Sequence, residues 1–416
     1  MATLSLMAVT SSGSGKVALS RLPALDGLRG VAAFLVVLTH ASFLTGSTTS
    51  LGLFGHLMGR GDFGVSLFFS LSGFLLYRIL VVEAEDSGHP RLGHYVARRF
   101  ARVLPAYWLT VLVIAASTSA SVRDTVLHLT GAQMYVADSA LPAFGQSWSI
   151  ATELSFYLLL PFVVVGIQIL RRRSTALPMK ALLGALLVTS ALGFVVGSAS
   201  LGQDIILERW LPWRAPHFIV GMVFAEALIA PQARVARWLH ARARDVGGCL
   251  ALAGAAYLAS TTPLAGSLLL EPAHGLQLVL RTGFATAFAA GLLLPLVLGP
   301  PSILSSLLSR PTVRWLGLIS YGVFLWHLPV FEALFHVTDA PFFRGGIVPL
   351  LIVGLPISIL LAFLSHQFIE LPVSRLVARR ASRRRDTERD QEEQPHRALQ
   401  PRRTDRGGGD HGLGGR

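Results

Sequence analysis

An arginine and a histidine lie eleven positions apart in the first apolar segment of this chain of 416 residues. The segment reads LDGLRGVAAFLVVLTH and contains Arg29 and His40. If it is a membrane helix, each ionisable side chain costs free energy, which makes each a candidate functional residue. A rise of about 1.5 Å per residue places His40 roughly 22 Å from the inner boundary of a hydrocarbon core about 30 Å thick.

A carboxylate is expected at the same depth. The segment SIATELSFYLLLP follows Trp148 and contains Glu153, and its helix would run in the opposite direction to that of His40. The same arithmetic puts Glu153 roughly 22 Å from the inner boundary. A nearby carboxylate raises the basicity of an imidazole and fixes its tautomer, as a general base requires. The spacing therefore predicts a catalytic His40–Glu153 pair.

Structural interpretations of these residues stay open. His40 could instead bond a neighbouring helix in a packing role, and Glu153 could form an ion pair with Arg281, at a similar depth in the eighth segment. His327, in the sequence SYGVFLWHLPV, is either a second site residue or a packing residue. Tyr321 of the same sequence is a further candidate for the site lining.

Arginines cluster at the inner end of the third apolar segment. The sequence YVARRFARVLPAYW contains Arg98, Arg99 and Arg102, and Arg29 is expected at the same level. These side chains could anchor the protein at lipid headgroups, or they could bind phosphate, for which the planar guanidinium is suited. A histidine base on the outer side of such a cluster fits a long phosphate-bearing donor that enters from the cytoplasm.

Small residues interrupt the second apolar segment, GDFGVSLFFSLSGFLLYR. Ser70, Ser72 and Gly73 favour close helix packing, although they could also line a narrow acyl tunnel. Ser72 is not expected to be a nucleophile, because LSGF lacks the strand–turn–helix context of a hydrolase elbow.

The composition is that of an integral membrane protein. Hydrophobic residues make up 52% and charged residues 14% of the chain, against about 25% charged in a soluble domain. We therefore predict an all-α polytopic helix bundle. Its ten transmembrane segments are expected at about 25–46, 63–82, 103–121, 147–170, 178–198, 213–230, 246–262, 276–298, 313–337 and 346–370.

Loop charges predict the orientation. Lys and Arg are concentrated in alternate loops and in the tail, which holds eleven of the 36 basic residues, so both termini are expected to be cytoplasmic. This distribution explains the net charge of +13 without a nucleic-acid partner. We expect a flexible segment at 1–20, a membrane domain at 21–376 and a disordered tail at 377–416. The single cysteine, Cys249, excludes an internal disulfide, and no metal-binding spacing is present.

In combination, these motifs resemble the acyltransferase-3 family of membrane acyltransferases. The resemblance covers about residues 22–376 and includes the Arg29–His40 spacing, FFSLSGFLLYR, the Arg99–Arg102 pair, the Glu153 segment, SYGVFLWHLPV and FIELP. It implies a multi-pass protein of a bacterial cytoplasmic membrane that transfers an acyl group, commonly acetyl, from acyl-CoA to a hydroxyl. His40 would be the base, Glu153 would assist it, and Arg29, Arg99 and Arg102 would bind the donor.

The resemblance implies a sugar-containing acceptor in a surface polysaccharide, glycolipid, peptidoglycan or secreted natural product. It implies no permanently bound cofactor. The fused esterase-like domain of some members is not expected here. The rival interpretation is a transporter or flippase of a lipid-linked or acylated sugar, since buried His and Glu residues also serve as proton relays. The acceptor, the acyl chain length, the choice between direct transfer and an acyl-enzyme, and the oligomeric state do not follow from the sequence.

Overall fold

The structure, a computed structural model, describes residues 21–87, 92–198 and 207–379, apart from residues 137, 140, 270, 272 and 274. Within these ranges every regular element is helical. The all-α prediction is therefore confirmed. Helices at the ten predicted positions are α1 (Pro23–Leu44), α2 (Phe63–Ser87), α3 (Leu92–Thr118), α4 (Trp148–Arg173), α5 (Leu177–Ser198), α6 (Leu211–Ile229), α7 (Val246–Ser260), α8 (Leu276–Leu298), α9 (Pro311–Val337) and α10 (Ile347–Ser365).

Seven of the described helices are long and apolar enough to cross a membrane. Helix α6 and the helix Arg234–Ala243, which meet at a bend of 101°, make an eighth span if they are taken together. Helices α5 and α7 supply shorter apolar stretches. The chain is a multi-pass membrane protein, while the count of ten and the cytoplasmic termini stay predictions. The predicted segment 1–20 and the tail from residue 380 onward lie outside the described residues.

Helix α3 begins eleven residues earlier than the apolar pattern predicts. The predicted segment, 103–121, leaves out Arg99 and Arg102, but both residues lie in the first three turns of α3. The reason is that Ala, Arg and Leu are good helix formers, so the helix continues past the end of the apolar stretch. Both guanidinium groups are consequently carried by a regular helix.

Small residues allow α2 and α6 to pack closely, as predicted for the second segment. A methyl group added at Gly73 would overlap the carbonyl of Phe218, and one added at Gly221 would overlap that of Ser70. The Ser70 hydroxyl donates to the carbonyl of His217 at 2.8 Å. Close backbone approach and an interhelical hydrogen bond are typical of helix pairs in lipid, which confirms the packing role of Ser70 and Gly73.

The connection between α1 and α2 folds back against α1. It contains the short helices Ser47–Ser50 and Gly52–Gly59 and a 3-10 turn, Arg60–Asp62. The Thr39 hydroxyl donates to the carbonyl of Met58 at 2.9 Å. This bond fixes the 3-10 turn beside the last turns of α1, close to His40. We call this side of the protein, opposite the arginine-rich loops, the outer side.

Candidate functional site

Two histidines meet in the outer half of the helix bundle. The Nδ1 atom of His40 on α1 lies 3.0 Å from the Nε2 atom of His327 on α9. His327 is fully buried, and its Nδ1 atom lies 3.0 Å from the carbonyl oxygen of Val323. His40 Nδ1 also lies 3.0 Å from the carbonyl oxygen of Val36, one helical turn earlier. The structure thus places His327 against the predicted base.

The hydrogen-bond partners define the tautomers of the two rings. A carbonyl oxygen only accepts, so Nδ1 of His327 carries a proton and Nε2 of the neutral ring is an acceptor. The Nδ1 atom of His40 must then donate to His327 Nε2. A proton on this atom also satisfies its contact with the carbonyl oxygen of Val36. The Nε2 atom of His40 is left with a lone pair, and no hydrogen bond from a described residue engages it. His40 therefore has the protonation pattern of a general base.

Glu153 does not lie beside His40, so the predicted pair is wrong in its geometry. The Glu153 Oε1 atom accepts from the hydroxyl of Ser72 at 2.5 Å and from that of Tyr157 at 2.6 Å. The predicted depth assumed that α4 starts at the membrane surface. Instead, Gln146, just before α4, is buried and donates to the carbonyls of Phe324 and Leu325, close to the level of His327.

Glu153 lies further inward than the histidines for this reason. It follows Gln146 by seven residues, which corresponds to about 10 Å along a helix. The alternative partner, Arg281, does not pair with it either, because Arg281 donates to Asp62 at 2.7 Å. Glu153 therefore forms neither of the two predicted contacts, and its hydrogen-bond partners are the hydroxyls of Ser72 and Tyr157.

The inner part of the site combines Glu153 with the predicted arginines. Arg29 interacts electrostatically with Arg102, Tyr157 and Glu153. Tyr157 is in turn within electrostatic range of Arg99 and Arg102. The structure thus places Arg29 of α1 near Arg102 of α3, as the sequence predicts. We call Arg29, Arg99 and Arg102, with Glu153 and Tyr157, the inner arginine cluster. Three guanidinium groups around one carboxylate leave an excess of positive charge, which suits a phosphate-bearing ligand.

Tyr321 borders the inner arginine cluster. Its hydroxyl donates to the carbonyl of Val103 at 2.9 Å, which joins α9 to α3, and it lies within electrostatic range of Glu153. Of the residues predicted to line the site, Ser72 and Tyr321 therefore lie at the inner cluster. His327 lies beside His40, and Arg281 lies on the outer side of the bundle with Asp62.

Sequence reasoning missed Tyr157, Asp62 and Trp148. Tyr157 follows Glu153 by four residues, and this spacing on a helix signals contact. Asp62 immediately precedes an apolar segment, where an acidic residue is unusual. The guanidinium groups of Arg209 and Arg214 lie over the Trp148 ring, at 6.0 and 5.0 Å from its centroid. No signal in the sequence predicts these contacts.

One family of known proteins matches most of the chain. A family model described as an acyltransferase domain, Acyl_transf_3, matches residues 22–366. The chain belongs to the acyltransferase-3 family. The match covers the helices that carry Arg29, His40, Glu153 and His327, so the family predicted from the sequence motifs is confirmed.

Curated relatives from three bacteria match most of the chain. It is 26% identical to YrhL of Bacillus subtilis (strain 168), whose name assigns it provisionally to the peptidoglycan O-acetyltransferases, with 87% of the chain and 56% of the relative covered. It is 25% identical to the peptidoglycan O-acetyltransferase OatA of Listeria monocytogenes, with 85% and 56% covered. It is 23% identical to the O-acetyltransferase OatA of Staphylococcus aureus (strain NCTC 8325), with 85% and 57% covered.

The chain therefore spans little more than half the length of these curated relatives. No solved structure matches it with statistical significance.

Proposed function

We propose that this protein is a membrane O-acyltransferase that moves an acyl group, with acetyl as the first candidate, from acyl-CoA to a hydroxyl of a sugar-containing acceptor. The names of the relatives support O-acetyl transfer to a carbohydrate. The observation that carries the proposal is the hydrogen bonding of His40, which leaves Nε2 free to accept a proton.

In the proposed reaction His40 Nε2 takes the proton of the acceptor hydroxyl. The acceptor oxygen attacks the thioester carbonyl, its C–O bond forms, and the C–S bond breaks. The leaving CoA thiolate receives the proton from the imidazolium of His40, which returns the base to its starting form. His327 accepts the hydrogen bond of His40 Nδ1 throughout and stabilises the charge that develops on the ring.

The inner arginine cluster is proposed to bind the phosphates of the donor. Arg29 and His40 are separated by eleven residues on α1, which is about 16 Å along the helix axis. A long flexible arm can therefore start at the arginines and end with its thioester beside the imidazole. Glu153 is assigned to this cluster and not to the base: its carboxylate, fixed by Ser72 and Tyr157, orients the guanidinium groups.

The test uses purified protein in nanodiscs of neutral lipid with acetyl-CoA labelled on the acetyl group. We expect release of CoA and transfer of the label to a hydroxyl-bearing glycan, with both products formed in equal amounts. A transporter or flippase would leave the thioester intact at every acceptor concentration. Intact acetyl-CoA after prolonged incubation with folded protein would contradict the proposal.

A further inference from the structure

A polar cavity lies on the outer side of the bundle, apart from the inner arginine cluster. Its volume is about 140 Å³, which is room for a carboxylate or phosphate group with a few waters, at about 30 Å³ for each water in the liquid. We call it the outer arginine pocket. Its lining includes one aromatic and five charged residues: Trp148, Asp62, Glu208, Arg209, Arg214 and Arg281.

The charges of the outer arginine pocket favour an anion. Three guanidinium groups against the carboxylates of Asp62 and Glu208 leave one net positive charge. Only Arg281 forms an ion pair with a described residue inside the pocket, with Asp62 at 2.7 Å. The Nε atom of Arg214 is buried without a hydrogen-bond partner, and so are the Oδ1 atom of Asp62 and the Oε2 atom of Glu208. The N–H donors of the three guanidinium groups outnumber these acceptors, so an oxyanion would complete the hydrogen bonding of the pocket.

The Trp148 ring holds two of these arginines in place. The guanidinium carbons of Arg214 and Arg209 lie 5.0 and 6.0 Å from its centroid. Such cation–π contacts orient a planar guanidinium while leaving its N–H groups free for bidentate bonds to a carboxylate or phosphate. The pocket therefore presents donors that are already positioned for an oxyanion.

The outer arginine pocket lies on the same side of the bundle as the proposed base. Thr39, the neighbour of His40 in the sequence, is bonded to Met58, four residues before Asp62 in the pocket lining. Asp62 also acts electrostatically on His40. The inner arginine cluster, in contrast, is about 16 Å away along α1. A ligand in the pocket would therefore approach His40 from the side opposite the donor.

We propose that the outer arginine pocket binds an acidic group of the acceptor, a carboxylate or a phosphate, and so places a neighbouring hydroxyl at His40 Nε2. This inference rests on the proposed function, since it assigns the acceptor side of that reaction. It specifies the substrate class: an anionic glycan is acylated in preference to its neutral counterpart.

The test compares three labelled probes in neutral-lipid nanodiscs: a digalacturonate, the matching neutral digalactoside and a galactose phosphate. Equilibrium binding and acetyl transfer are both measured for each probe. The digalacturonate arm reports a carboxylate site and the galactose phosphate arm a phosphate site. We expect at least one acidic probe to bind at least tenfold more tightly, and to show a correspondingly lower KM, than the neutral probe.

Substitutions connect this preference to the pocket. Arg214→Gln should remove the preference for acidic probes, and Arg214→Lys should retain part of it, while the KM for acetyl-CoA stays unchanged in both. The matched control is Arg242→Gln on the inner side, because Arg242 also lies over a tryptophan ring, that of Trp238 at 5.7 Å. This control should keep the full preference.

The outcomes separate the pocket from the reaction. Equal binding of acidic and neutral probes would contradict the proposed role of the pocket, even if acetyl transfer occurs. A preference for acidic probes that persists in Arg214→Gln would contradict it as well. Acidic binding that is lost in Arg214→Gln, with acetyl-CoA intact throughout, would support the pocket and contradict the acyltransferase function.

Discussion

Replacement of His327 distinguishes a positioning histidine from a base. In His327→Ala, His40 Nδ1 loses one acceptor but keeps the carbonyl of Val36 at 3.0 Å, so its tautomer persists. Such a bond contributes about 0.5–1.5 kcal/mol while the His40 ring is neutral and about 1.5–3 kcal/mol once the ring is charged. Its loss therefore costs the transition state about 1–1.5 kcal/mol more than the ground state. At about 1.36 kcal/mol per tenfold change in rate, kcat should fall by about 5- to 13-fold. Loss of a general base lowers the rate by about 10²- to 10⁴-fold. A positioning role and a base role for His327 therefore predict different ranges of kcat.

The assay is single-turnover acetyl transfer by folded protein in nanodiscs. His327→Gln offers a carbonyl acceptor to His40 and should recover part of the lost rate. His128→Ala is the matched control, because His128 is also buried and its Nδ1 atom contacts the carbonyl of Asp124 at 2.8 Å, four residues earlier. It should leave kcat unchanged. A loss above about 10²-fold in His327→Ala, without recovery in His327→Gln, would refute the positioning role.

Three further outcomes are expected. Replacing both Arg99 and Arg102 by Ala should raise the KM for acyl-CoA far more than the KM for the acceptor. An unchanged KM for acyl-CoA in initial-rate measurements would contradict their assignment to donor binding. Gly221→Ala should lower the thermal unfolding midpoint, because the methyl group would overlap the backbone of α2, whereas Gly254→Ala meets no atom within 4 Å and should not. Glu226→Gln should also lower the midpoint in the same thermal assay, since this carboxylate accepts from Tyr77 and Arg171 at 2.7 Å each. The loss is limited because Arg171 keeps its ion pair with Glu85 at 3.3 Å. An unchanged midpoint would exclude that contribution.

Local hydropathy was sufficient to predict the positions of the ten helices. An apolar stretch must bury its backbone polar groups internally when it enters lipid, so its helical state does not depend on its neighbours. The same reasoning identified Arg29 and His40 on α1 as ionisable residues whose placement in a membrane helix costs free energy. Helix starts were less predictable, because the polar first turns of α3 extend the helix beyond the apolar stretch and carry Arg99 and Arg102.

The partners of Glu153 could not be predicted from helix arithmetic. Its depth depends on where α4 begins, and that is fixed by hydrogen bonds from Gln146 to carbonyls of α9, which are remote in the sequence. The contact between His40 and His327 likewise joins residues 287 positions apart. Such long-range contacts arise from helix packing, which hydropathy and loop charge do not specify.

The most direct test of the account is acetyl transfer by His40→Ala. The variant should keep the unfolding midpoint and the acyl-CoA affinity of the parent protein, because the donor phosphates are assigned to the inner arginine cluster about 16 Å away along α1. The rate of label transfer to the acceptor should fall by about 10²- to 10⁴-fold. Near-normal transfer by folded His40→Ala protein would contradict the assignment of His40 as the base.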